Sequence, residues 1–306
     1  MSVLQQKNIL ELDNKGYSII QNCLDQETIY KAQTAFKLIL NKVKKKDYNY
    51  YRVYDDYSLA PNISGIEMVF HPNIINQDII NFIKNSKLLD IAKEILGEDI
   101  YLELSRYHLT ENRSHVGIWH RDATINDPQD SIQLNIFLFD EQGLQVVDGS
   151  HKEDAVISSK EIIDRPFIYI KNSRWVETKA GDILVFNPAV LHRGISAFPR
   201  ANLHFRFKKK NGHYLNKNEK NKSNLFNDKL KFSDDWKNIL LDQQSQVINL
   251  ELKEYKCQNN IRSFIFRLIR NFIHNFIFFL SFESKLYSIF RVKPNLRLRA
   301  LLKLKI

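Results

Sequence analysis

Ser131-Ile132-Gln133-Leu134-Asn135-Ile136-Phe137-Leu138-Phe139 alternates polar and apolar residues over most of its length, the two-residue period of a strand with one face in a core. Tyr101-Leu102-Glu103-Leu104-Ser105 has the same alternation upstream. Downstream, Gly181-Asp182 turns into the apolar run Ile183-Leu184-Val185-Phe186, which reads as a buried strand. Short strands follow one another from 100 to 210 without helical stretches between them, which argues for a sandwich or barrel. Residues 1–100 are mixed. Asp25 is placed to cap a helix of about twenty residues with Ile29, Ala32, Phe36, Leu38-Ile39-Leu40 and Val43 on its apolar side and Lys42 to Lys46 at its end. Ser86 would cap a second helix that stops at Gly97. Arms around 48–80, 123–130 and 153–178 interrupt the strand pattern and are where substrate contacts would lie.

Two short segments of this strand-rich region carry the chemistry. His120-Arg121-Asp122 places an imidazole and a carboxylate two residues apart, on one side of an extended chain, with Arg121 pointing away. His192 follows the run from Gly181 through Asn187-Pro188-Ala189-Val190-Leu191, which should deliver it at the start of a turn. Two imidazoles and one carboxylate on one face, with the opposite positions open, are what iron(II) uses to activate dioxygen. A His-x-Asp triplet alone arises easily in a chain with 9 histidines. The same triplet also opens a protein-kinase catalytic loop. That reading fails, because Asn126 is one place too early and no glycine-rich loop or Asp-Phe-Gly accompanies it.

The triplet gains meaning from its neighbours. Gly143-Leu144-Gln145-Val146-Val147 runs into the turn Asp148-Gly149-Ser150-His151-Lys152, and Arg200-Ala201-Asn202-Leu203-His204-Phe205-Arg206-Phe207 follows the distal histidine with basic residues on one face. Together with Trp119-His120-Arg121-Asp122, Leu191-His192, the opening Gly16-Tyr17-Ser18-Ile19-Ile20 and the segment from Leu88-Leu89 to Leu96-Gly97-Glu98-Asp99, these resemble the phytanoyl-CoA dioxygenase family of iron(II)/2-oxoglutarate oxygenases over roughly residues 8–210. The resemblance implies a double-stranded β-helix (jelly roll, cupin-like) core in an α+β fold, with N-terminal helices packed on it. It implies His120, Asp122 and His192 as iron ligands, 2-oxoglutarate and dioxygen as co-substrates, and an arginine for the far carboxylate of 2-oxoglutarate, since a guanidinium fork matches a carboxylate. That arginine is Arg200, with Arg206, on the same strand parity, as the substitute, because the family spacing is shortened here. Asn135 is a further candidate for the co-substrate pocket. The proline of the family's Pro-Gly-Ser-His is Asp148 in this chain. Related halogenases lack the carboxylate ligand, so Asp122 favours hydroxylation.

Charge divides the chain unevenly. Residues 251–306 carry 12 Lys and Arg against 3 Glu, a net of +9 out of the total +10, so the first 250 residues are close to neutral. The sequence thus divides into a helical and mixed part at 1–100, a jelly-roll core at 101–210, a polar extension at 211–250 and a basic tail at 251–306. In the tail, Ile261, Phe264, Ile265, Leu268 and onward to Leu280 recur at helical spacing, with Arg262, Arg267, Arg270 and His274 opposite. Those charges argue against a transmembrane span and fit a helix lying at a membrane surface or docked on the domain; the continuous apolar stripe argues against nucleic acid. Cys23 and Cys257 form no metal or disulfide pattern, and the N-terminus has no signal-peptide stretch, so a cytoplasmic setting is expected, with possible attachment to the inner membrane surface. The substrate would be a small molecule, or a lipid or glycan if the tail meets a membrane. The oligomeric state is left open. The rival reading is a silent jelly-roll binding protein.

Overall fold

The computed structural model describes residues 3–46, 51–53, 63–67, 69–70, 74–110, 115–116, 119–123, 125, 130–152, 170–196, 200–210 and 236. Helix α1 (Gln6–Lys15) and strand β1 (Tyr17–Ile20) lead into the long helix α2 (Gln26–Lys46). Strands β2 (Tyr51–Val53) and β3 (Ile63–Glu67) are followed by helices α3 (Gln77–Asn85) and α4 (Leu88–Leu96). The remaining strands are β4 (Ile100–Thr110), β5 (His115–Val116), β6 (Ser131–Phe137), β7 (Glu141–Val147), β8 (Ser173–Thr178), β9 (Ile183–Phe186), β10 (His192–Ser196) and β11 (Arg200–Lys209). They form one sheet in the order β1-β9-β6-β11-β4-β3-β2 and a second in the order β5-β10-β7-β8. Every pairing between these strands is antiparallel. Consecutive strands alternate between sheets from β9 to β11, which is jelly-roll connectivity.

The alternation in 131–139 sorts side chains between two different interiors. Ile132, Leu134 and Ile136 join Leu203, Phe205 and Phe207 of β11 in the large core that the helices cover. Leu134, Leu203, Phe205 and Phe207 are 0% exposed, and burying each contributes roughly 1.5–3 kcal/mol. The other face, with Gln133 and Asn135 of β6 and Asn202, His204 and Arg206 of β11, turns toward the second sheet. Asn202 Nδ2 donates to Glu141 Oε1 of β7 at 2.6 Å. A smaller apolar cluster of Phe137, Val146, Val176, Leu184, Phe186 and Val190 closes one part of the space between the sheets. The polar alternates therefore line a buried interior and do not face bulk water.

Helix α2 forms as expected, with Asp25 Oδ1 accepting from the Thr28 amide at 2.8 Å. Ile29, Ala32, Phe36, Ile39 and Val43 are buried, but Leu38, expected on the apolar side, is 64% exposed. Ser86 does not start a helix. It ends α3, where its Oγ donates to the Ile83 carbonyl at 2.6 Å, and α4 begins after Lys87 in a left-handed conformation. Two helices thus stand where one was expected; Asn76, whose side chain accepts the Asp78 amide, caps the first. The arm at 48–80 contains β2 and β3, which extend the large sheet beyond β4, and the arm at 153–178 contains β8. Edge strands bury little on one side, so their apolar alternation is weak. The tail at 251–306 and Cys257 lie outside the described residues. Among the described residues, no helix is long and apolar enough to cross a membrane.

Candidate metal centre

A turn and a single backbone bridge bring the three candidate ligands together. Asn187 Oδ1 accepts the Ala189 amide at 2.9 Å, folding residues 187–189 into a tight turn. The Pro188 carbonyl at its apex accepts the amides of Asp122 at 2.8 Å and Ala123 at 3.1 Å. One step on, His120 N donates to His192 O at 2.9 Å and His192 N donates to His120 O at 3.0 Å. His192 is therefore the first residue of β10 and does not open a turn as expected. His120 sits on an isolated bridge, not at the end of a strand. The two imidazole centroids are 4.3 Å apart. His120 Nε2 lies 3.7 Å from Asp122 Oδ1, and one ligand atom from each of the three residues lies within 4.8 Å of the others.

The second nitrogen of His192 has a defined partner. Its Nδ1 is 2.8 Å from the Val190 carbonyl, which can only accept, so Nδ1 carries the proton and Nε2 keeps its lone pair. Burial pushes the His192 pKa down to about 4, and repulsion from His120 adds to this. The ring is thus neutral near pH 7, the form that binds a metal. For Asp122, burial works to raise the pKa, but the positive charge of the Arg206 guanidinium against it helps hold the carboxyl below the usual range. One carboxylate and two imidazoles are a donor set that fits iron(II).

Arg121 points away from the three ligands and ties down the backbone behind them. Its Nη1 donates to the Ser150 carbonyl and, at 2.6 Å, to the Ala189 carbonyl. Ser150 completes the tie, donating its hydroxyl to Val147 O at 2.6 Å and accepting the Leu191 amide at 2.9 Å. His151 reaches back to α1, with Nε2 3.0 Å from the Asp13 carbonyl, and Lys152 Nζ is 3.2 Å from Asp13 Oδ1. The Gly-Ser-His-Lys turn is therefore a fastener between the N-terminal helix and the His192 segment. Asp148, where proline was expected, accepts from Tyr17 OH at 3.2 Å and pairs with Arg174 at 2.9 Å. These supporting roles of Arg121, Ser150 and Pro188 left no separate signal in the sequence, since each acts through backbone carbonyls or amides.

The two candidate arginines are far apart. Arg206 Nη2 pairs with Asp122 Oδ2, and the same guanidinium donates to Gln133 Oε1 at 2.9 and 3.3 Å. Arg200 is opposite Thr110, six residues back along β11, or roughly 20 Å at strand rise. Asn135 accepts from Gln133 Nε2 at 3.2 Å, one two-residue step from Arg206 in the ladder. Gln133, absent from the sequence-based candidates, is the link between them.

The model of one family, phytanoyl-CoA dioxygenase (PhyH), matches residues 12–197. The chain belongs to the phytanoyl-CoA dioxygenase family. It is an oxidoreductase of the iron(II)- and 2-oxoglutarate-dependent dioxygenase class, using dioxygen. A curated relative, an ectoine dioxygenase of Nocardia farcinica, is 22% identical over 231 residues, 62% of this chain and 73% of the relative. Among solved structures, EctD from S. alaskensis with bound Fe superposes with a TM-score of 0.52 at 18% identity, covering 67% of this chain and 77% of that one. HygX from Streptomyces hygroscopicus, with nickel, 2-oxoglutarate and hygromycin B bound, gives a TM-score of 0.51 at 14% identity over 68% of this chain and 88% of that one. AviO1 from Streptomyces viridochromogenes Tue57 gives 0.53 at 15% identity over 69% and 97%. These structural likenesses establish the shared fold. Family membership overturns the silent binding-protein reading.

Proposed function

We propose that His120, Asp122 and His192 hold the iron(II) of this dioxygenase, and that the chain hydroxylates an unactivated C–H bond of a small polar molecule. The fixed tautomer of His192, with Nε2 free beside His120 and Asp122, is the observation that carries the metal assignment. When bound, iron and 2-oxoglutarate supply the oxidising power: 2-oxoglutarate loses CO2 to become succinate, one oxygen atom of O2 entering succinate and the other the product. The chain's own side chains hold and orient. Arg206 occupies Asp122 Oδ2 and leaves Oδ1 on the His120 side, which favours one carboxylate oxygen for the metal. Arg121 holds the 187–191 segment so that all three ligands keep one face.

The polar surroundings support the substrate class. Glu103 lies beside the arginine that grips Asp122, 3.9 Å from Arg206 Nη1, and pairs with Lys208 Nζ at 2.5 Å. A charged group beside the arginine that holds Asp122 suits a polar molecule or glycan better than an alkyl chain. The lipid reading rests on the basic tail alone, and liposome co-sedimentation with and without residues 258–306 tests it.

Anaerobic titration tests the proposal. Iron(II) with 2-oxoglutarate should produce the weak visible charge-transfer band of the chelate, and admitting oxygen should release succinate. Asp122→Ala should abolish both. A band of undiminished intensity and affinity in Asp122→Ala would show that the metal lies elsewhere.

A further inference from the structure

Strand β11 carries the inner face of the large sheet outward past the candidate metal ligands. Asn202 is buried, the Arg206 side chain is 18% exposed and that of Lys208 37%, so the space between the sheets opens at the Lys208 end. There the pairing with β4 slips. Arg206 is opposite Leu104 and Phe207 is opposite Leu102, which leaves Glu103 without a partner across the ladder. Such a bulge sets an extra residue into one strand and re-aims its side chain. The Glu103 carboxylate turns onto the face of Arg206, with Oε1 2.5 Å from Lys208 Nζ and Oε2 3.9 Å from Arg206 Nη1. Arg206 Nη2 pairs with Asp122, so a single guanidinium separates Glu103 from a candidate metal ligand. Glu103 Oε2 is buried and accepts no hydrogen bond among the described residues. Tyr101 of β4 and Ser131 of β6, both opposite Lys208, share this face at the opening.

Given the metal assignment above, on which this rests, we propose that the Glu103–Lys208 pair selects the substrate, and that the group it takes is a pair of adjacent hydroxyls on a neutral polyol or sugar. A carboxylate oxygen only accepts, so Glu103 Oε2 calls for an N–H or O–H from the substrate. Charge chooses between them. An ammonium at Oε2 would meet the two cations that already flank the carboxylate, Arg206 and Lys208, whereas a neutral hydroxyl meets no such repulsion. An alkyl chain packed there would leave a buried acceptor without a donor, which is costly. Lys208 Nζ spends one N–H on Glu103 Oε1 and has others to donate to the oxygen of the neighbouring hydroxyl. An acceptor and a donor held side by side thus match a vicinal diol, where either alone would match any single polar group. The bulge is what brings the acceptor to this face, so the selectivity is built into the backbone of β4.

The full chain, loaded anaerobically with iron(II) and 2-oxoglutarate, is titrated with three kinds of probe while the charge-transfer band is followed. The polyols are myo-inositol and the methyl glycosides of glucose, galactose and mannose; the amine is cyclohexylamine; the alkyl acid is decanoate. At least one polyol should perturb the band, and the amine and alkyl acid should not. Glu103→Gln should raise the dissociation constant of that polyol roughly 10–100-fold, the effect of losing a hydrogen bond to a charged group, and leave that of 2-oxoglutarate within about twofold. Lys208→Met should weaken the polyol and admit cyclohexylamine, because one repelling cation is gone. Circular dichroism identifies a variant that has not folded, in which case Glu103→Asp and Lys208→Met carry the comparison. No polyol binding, tighter binding of the amine or the alkyl acid, or polyol binding unchanged in Glu103→Gln overturns the assignment. Equal weakening of polyol and 2-oxoglutarate in Glu103→Gln would make Glu103 a strut for Arg206 and overturns it as well. A protein that never develops the band loses the metal assignment and the diol site with it, whereas a band without polyol selectivity removes the diol site alone.

Discussion

Arg121 sits between two metal-ligand candidates without joining them, and its contribution is positional. It donates to two carbonyls, of Ser150 and Ala189, on either side of the His192 segment. Arg121→Ala should therefore lower iron(II) affinity about 10–100-fold, the usual cost of losing a group that orients ligands, as read by anaerobic iron titration. A fall in thermal midpoint with unchanged iron affinity would reduce Arg121 to a structural strut. Asp148 answers a different question, namely what replaces the missing proline. Its carboxylate joins Tyr17 of β1 to Arg174 of β8, and only the Tyr17 bond is shielded enough to matter, since the Arg174 side chain is 69% exposed. Asp148→Ala should cost about 1 kcal/mol in denaturant unfolding. At this scale the sequence was informative about chemistry. His120, Asp122 and His192 could be singled out as candidate ligands because a metal needs particular atoms. Gln133 was not, since its bonds to Arg206 and Asn135 depend on which strand lies beside which.

The junction of α1 and β1 shows how an element is held to the site. Gly16 has φ +84°, and a Cβ there would collide with Val190 Cγ2 and the His151 ring. Gly16→Ala should destabilise the fold by roughly 2–4 kcal/mol, through a disfavoured backbone and overpacking, measurable by chemical denaturation. His151 is the titratable part of the same junction. Burial lowers its pKa and Lys152 lowers it further, against the Asp13 carbonyl. The unfolded chain therefore takes up the proton first, and stability should decline as pH falls below about 6.5, levelling off once the folded ring also protonates. His151→Gln should remove that part of the slope between pH 7 and 5, and an unchanged slope would refute the role. Element boundaries were less legible than chemistry. Ser86 read as a helix start because a serine hydroxyl can accept from amides at a helix start or donate to a carbonyl at its end, as it does to Ile83, and only the backbone at Lys87 decides which. Strands β2 and β8, at the edges of their sheets, looked like arms because edge pairing is a property of neighbours and leaves little trace in the strand itself.

Over the whole molecule, the helices cover one face of the large sheet, and a distant residue completes that layer. Trp236 is buried against Phe70 and Phe207, with centroids 5.6 and 6.4 Å apart. Trp236→Ala should destabilise the chain by about 3–5 kcal/mol in denaturant unfolding, a loss that residues 211–250 would not cause if they were only a spacer. The sequence by itself determined the class of fold and offered a candidate donor set: period-two alternation dictates strands, and the chemistry of a ferrous site calls for two imidazoles and a carboxylate. The tertiary structure decided which way the polar face of each strand turned and which side chains it brought beside Asp122. The reason is physical. Periodicity is written along one chain, whereas β4, β6 and β11 are set side by side by hydrogen bonds between segments tens of residues apart, and that register has no local signature.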